Sequence, residues 1–96
     1  MTGAELIAAE RRRQVEGEGY TAEHDAGKAD DLAIAGAVYA QPERRRTYGY
    51  RPGIPLQWPW MPEAWKPTPD DRVRELTKAG ALIAAAIDAL RAEGAQ

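Results

Sequence analysis

The chain has no cysteine, no phenylalanine and no serine, and its one histidine is His24. Without cysteine there is no disulfide framework, no thiolate zinc site and no thiol nucleophile, and a lone imidazole leaves almost nothing for a transition-metal cluster. Without serine, hydroxyl nucleophiles are confined to five threonines, of which Thr2 and Thr68 read as helix caps. Positive charge is not in surplus: 13 Lys and Arg against 15 Asp and Glu give a net charge of −2. That balance is not the overall footprint of a nucleic-acid binder, so any basic surface must be local. No apolar run approaches the roughly 20 residues that span a bilayer, and Met1 to Ala9 meets charge too early for a signal peptide. The expectation is a cytoplasmic protein with no membrane partner.

What is present is 96 residues, 44% of them hydrophobic, and alanine supplies much of that share. Alanine methyls bury little area against the entropy of ordering each residue, so the private core is expected to be thin and completed by self-association or a ligand. One domain is expected, mainly α, with two or three helices and an ordered irregular segment.

Three zones divide the chain. In the first, Thr2-Gly3-Ala4-Glu5 has the form of a capping box and opens a helix over about 3–16, closed by Gly17 and Gly19. A loop over 17–29 follows, with one turn capped by Thr21. Asp30 or Asp31 then caps a short helix over about 30–40, which Pro42 ends. The middle zone, 42–67, holds Tyr48, Tyr50, Trp58, Trp60 and Trp65, five of the seven aromatics, and all seven prolines lie between Pro42 and Pro69. Disordered linkers are poor in aromatics, so this reads as an ordered wrap across the helices. In the third zone Thr68-Pro69-Asp70-Asp71 predicts a helix over about 69–93, with Thr68 as its cap. There Val73, Leu76, Gly80, Ile83, Ile87 and Leu90 recur at alternating spacings of three and four. The first helix offers few residues to cover that stripe. Two copies are therefore expected to meet across a two-fold axis near Gly80, where the missing side chain permits close approach.

Chemistry has few footholds. A magnesium-dependent nucleotide hydrolase needs carboxylates at helical spacing on facing helices, whereas Glu5, Glu10 and Glu16 are spread out and Asp30-Asp31 suits a helix start. No catalytic residue, metal or cofactor is assigned. His24-Asp25 could orient a general base, but with no cysteine or serine to activate, it reads as a pair that braces a loop. The runs Arg11-Arg12-Arg13 and Arg44-Arg45-Arg46 read as solvated surface, though the tyrosines beside the second could stack bases. The most distinctive stretch runs from Trp58 to Pro67. Its tryptophans can replace the missing phenylalanines as core, or one ring and Lys66 can face a pocket, the ring on a base and the ammonium on a phosphate.

The runs Glu10 to Glu16 and Glu18 to Asp25, then Trp58-Pro59-Trp60, Trp65-Lys66-Pro67 and Leu76 to Ile83, together resemble a family of small, mostly uncharacterised phage and prophage proteins. Tyr20, where that family commonly has tryptophan, and Ala26, in a shortened acidic run, are departures. The layout also resembles the ryanodine receptor repeat domain through Gly19-Tyr20-Thr21, the charged loop after it, Asp71-Arg72 and Lys78, with one extra residue between Arg13 and Gly19. That resemblance implies a module binding nucleotide-derived molecules. The expected ligand contacts are Arg13, Tyr20, His24, Asp25, Trp58, Trp60, Lys66 and Arg72, with the ligand bound and sequestered intact. The alternatives are a protein-interaction or inhibitor module docking through the Pro/Trp segment and, after it, the magnesium hydrolase.

Overall fold

The computed structural model describes residues 1–94 as a small, mainly α domain. Three helices, α1 (Gly3–Glu18), α2 (Ala29–Ala40) and α3 (Arg72–Ala92), are joined by the loop after α1 and by a long irregular wrap. The capping box forms: Thr2 Oγ1 accepts from the Glu5 amide at 3.1 Å and Glu5 Oε1 accepts from the Thr2 amide at 2.7 Å. Helix α1 absorbs Gly17 and stops at Gly19, whose φ of 73° is left-handed. The Gly19 and Tyr20 amides donate back to the carbonyls of Val15 and Gln14, each at 3.1 Å, satisfying carbonyls of the last turn.

Two expected caps are displaced. Lys28 stands at the start of α2 without a side-chain cap, and Asp30 and Asp31 lie inside the first turn, where their charges meet the positive end of the helix dipole. Helix α3 starts at Arg72, not at Pro69: Asp71 is its cap, accepting from the Arg74 amide at 3.0 Å. Thr68 does not cap the helix: its hydroxyl donates to the Asp71 carbonyl at 3.3 Å, its amide donates to Glu75 Oε2 at 3.0 Å and its carbonyl accepts from the Asp71 amide at 2.9 Å.

Helices α2 and α3 pack antiparallel. Arg72, at the start of α3, reaches the carbonyls at the end of α2, and Gly36 lies against Ala79 and Ile83. Their shared face is built from alanine. Ala29, Leu32, Ala85, Ala86 and Ala89 form one buried cluster, and Ala35, Val38, Tyr39, Trp58, Trp65 and Ala79 form another. Small side chains let the backbones close up: a Cβ at Gly36 would lie 3.1 Å from the Ala79 carbonyl.

The branched stripe of α3 is therefore not the intramolecular core. Val73, Leu76, Ile83, Ile87 and Leu90 are all at least 41% exposed. Gly80 is a helix crossing, but the helix that crosses is α1 of the same chain. A Cβ at Gly80 would lie 2.7 Å from Ile7 Cγ1, so the space expected for a second copy is already filled. Gly80→Leu is accordingly expected to cost about 1–3 kcal/mol by overpacking this crossing. An unchanged midpoint of thermal unfolding would show that α1 gives way freely.

The wrap is ordered by aromatics and by one buried ion pair. Tyr39 of α2 meets Trp58 edge-on at 5.6 Å and Trp65 at 4.7 Å, and Trp58 Nε1 donates to the Met61 carbonyl at 3.1 Å. Arg44 and Arg45 are exposed, as expected of a loop tip, but Arg46 is core. Its guanidinium donates to the carbonyls of Val38 at 3.0 Å and Tyr39 at 3.2 Å and to Glu75 Oε1 at 3.0 Å, and it lies over the Trp65 ring.

Candidate functional site

Seven of the eight expected contacts line one cleft between the end of α1, the following loop, the wrap and α3. One lobe, of about 230 Å³, has Arg13, Tyr20, Trp58, Trp60, Lys66 and Lys78 in its wall. The other, of about 480 Å³, has Tyr20, His24, Asp25, Lys28, Asp31 and Trp60. Tyr20, Trp60, Gln14, Ala64 and Leu82 belong to both.

Tyr20 is placed by the Gly19 turn and stacks on His24, ring centroids 5.4 Å apart. Arg11 fixes that turn, donating to the Tyr20 carbonyl at 2.8 Å while it pairs with Asp88 of α3 at 3.2 Å. Thr21 Oγ1 accepts from the His24 amide at 3.1 Å, the short capped turn expected here. Trp60 is half-buried and stands edge-on to Trp58 at 5.3 Å. Trp58 is buried, so it offers the cleft an edge and the core its body.

The cations are not equivalent. Arg13 is held by Glu10, with Nε to Oε1 at 3.0 Å and Nη2 to Oε2 at 2.8 Å, and by Glu18 at 2.9 Å. Lys66 is exposed and its ammonium makes no ion pair among the described residues. Lys78 donates to the Lys66 carbonyl at 2.8 Å and lies 5.4 Å from the Tyr39 ring centroid. Burial, and after it the Arg74 charge, pull the Lys78 ammonium below the ordinary lysine value. Arg72 is the expected contact that the fold removes from the cleft. It donates to the carbonyls of Tyr39 at 2.9 Å, Gln41 at 3.3 Å and Ala40, and pairs with Glu75 at 3.1 Å. These are the orphan carbonyls at the end of α2, a capping duty that consumes the guanidinium.

No protein-family model, curated protein or solved structure matches the chain. The cleft therefore stands on its own geometry. Among the described residues no group of three or more His, Asp or Glu side chains is placed to hold a metal ion. Gln14, Lys28, Asp31 and Lys78 are wall residues that sequence reasoning did not assign. Lys78 and Gln14 had a signal, their places within the runs that carry the resemblance; Lys28 and Asp31 lie at the start of α2 with no pattern separating them from solvated surface.

Glu10 anchors the cationic lobe from below. It is 4% exposed, and Arg74 donates to its Oε1 at 2.8 Å. Hydrogen bonding from Arg13, opposed by burial and reinforced by Arg74, holds its carboxyl at about 2 against an ordinary 4.5. A depressed folded value stabilises above the unfolded value and is lost on acidification. Stability should fall by about 3 kcal/mol as pH drops from about 5 to 2. Glu10→Gln should flatten that limb in acid titrations followed by circular dichroism; an identical acid limb in the variant would exclude Glu10 as its source.

Proposed function

We propose that the chain binds a nucleotide-derived small molecule in this cleft and holds it without turning it over. The supporting observation is the placement of Tyr20 and Trp60 between a lobe with two ammonium groups, Lys66 and Lys78, that form no ion pair among the described residues, and a lobe with His24 and Asp25. Aromatic faces stack on bases, and ammonium groups take phosphate as point charges. The side chains lining the two lobes include no serine, threonine or cysteine, which favours holding over turnover. Calorimetric titration with mononucleotides, cyclic dinucleotides and ADP-ribose derivatives, with the bound molecule recovered chemically intact, tests the reading. Trp60→Ala and Lys66→Glu should each weaken binding by about tenfold or more at unchanged helix content. Absence of binding across the panel would overturn it.

The interaction-module reading is less well served, since Trp58 and Trp65 are buried and the wrap does not present its tryptophans as one exposed apolar patch. Self-association is better served by α3. The spacings of Val73, Leu76, Ile87 and Leu90 are the same read in either direction about Ala81 and Leu82. An antiparallel second copy would set Val73 against Leu90 and Leu76 against Ile87. Sedimentation should give a dimer at micromolar concentration and a monomer for Leu76→Glu; a monomeric unmodified protein would exclude this contact.

A further inference from the structure

The two lobes differ in what they lack. Lys66 and Lys78 give the first an excess of donors and positive charge once Glu10 and Glu18 are matched to Arg13. The second contains an acceptor without a donor. Asp25 is 3% exposed and lies in the cleft wall, and its Oδ2 is buried with no hydrogen-bond partner. Its other oxygen is used: His24 Nδ1 lies 2.9 Å from Oδ1 and donates to it. A buried carboxylate oxygen left unpaired is costly, because it has lost water and gained nothing. Asp31 shares this wall, and Lys28 is the one ammonium there. The lobe is thus matched to a neutral group rich in N–H donors, and the opposite lobe to an anion.

A base with N–H donors at one end and a phosphate at the other satisfies both lobes at once. Among the common bases, guanine presents a ring N–H and an exocyclic amine side by side, the pair that a carboxylate accepts with its two oxygens. Adenine sets a ring acceptor beside its amine, and that lone pair would face the Asp25 carboxylate. We propose that Asp25 makes the cleft selective for guanine nucleotides, its carboxylate accepting from the Watson–Crick edge of a base packed against Tyr20 and Trp60. To admit the base, the half-exposed His24 ring stacked on Tyr20 would turn aside and give up its hydrogen bond to Oδ1, leaving both Asp25 oxygens to accept from the base. This rests on the nucleotide reading above and names the base.

The test uses the unmodified protein and four mononucleotides. Guanosine monophosphate should bind more tightly than inosine monophosphate, which lacks the exocyclic amine, and at least about tenfold more tightly than adenosine monophosphate. Xanthosine monophosphate carries a carbonyl where guanine has that amine and should bind weakly. In Asp25→Asn the side-chain amide can donate to that carbonyl, so the variant should lose the guanine preference and gain affinity for xanthosine monophosphate. Equal affinity for guanine and adenine in the unmodified protein overturns the inference while leaving nucleotide binding intact. Absence of binding to any nucleotide overturns both. The unmodified series does not depend on the variant's folding, and a variant that folds yet keeps the guanine preference also overturns the role of Asp25.

Discussion

Replacing Glu75 with alanine is expected to remove about 3–5 kcal/mol of stability, because it strands a buried guanidinium. The Glu75 and Arg46 side chains are 2% and 1% exposed and lie 3.0 Å apart. Glu75 Oε1 also accepts from Arg72 at 3.1 Å, and Oε2 accepts from the Thr68 amide at 3.0 Å. Burial pushes the Glu75 carboxyl up, but the Arg46 hydrogen bond and charge outweigh it, and the group stays below the usual glutamate value. One carboxylate therefore joins the start of α3, the turn before it and, through Arg46 and Arg72, the end of α2. Domains of about this size are stable by only about 5–15 kcal/mol, so the loss is a large share. Urea unfolding followed by circular dichroism measures it. A cost below about 1 kcal/mol would mean that water replaces the carboxylate without penalty, and that the network is not buried in solution.

The second large effect is at Trp58. Trp58→Ala should cost about 3–5 kcal/mol, since the ring is 5% exposed and contacts Tyr39, Trp60 and Trp65 within 5.6 Å between centroids. Near-ultraviolet circular dichroism should lose most of its aromatic signal, because three of the packed pairs share this ring. Trp60→Ala should cost less, its ring being half-buried at the cleft. The two substitutions thus separate core from candidate site: the first should lower the unfolding midpoint, and the second should lower affinity for the proposed ligand. Equal midpoints for both variants would show that the Trp58 ring does not carry the core.

Local signals and tertiary contacts divide this chain in a way that residues make visible. The start of α1 was legible because Thr2 and Glu5 satisfy each other's amides without help from any distant residue. Its end was legible because a left-handed backbone at Gly19 carries little cost only in glycine. Pro42 likewise stops α2 from within its own sequence. The start of α3 was misplaced by three residues, since Thr68 and Asp71 are both competent caps and Glu75, folded back onto the Thr68 amide, chose between them.

The cleft was legible in composition. Seven of the eight named residues share it because the Gly19 turn and the Pro/Trp wrap are the places where the chain departs from helix, and helix ends meet there. Arg72 was not separable from them by sequence, since its distance to the carbonyls of α2 exists only after α2 and α3 pair.

By itself, then, the sequence determined the three helices, the ordered wrap and the aromatic and charged inventory of the site, all of which depend on neighbours a few residues apart. Only the tertiary structure decided which face of α3 is inside. Hydrophobic periodicity marked the branched stripe as a face partly uncovered within the chain but did not single out the alanines as the buried face; they are buried because two alanine faces and Gly36 allow a close approach of α2 and α3. It also decided which charges are core: Arg46 and Glu75 can be buried only because each supplies the other's counter-charge across 29 residues of chain.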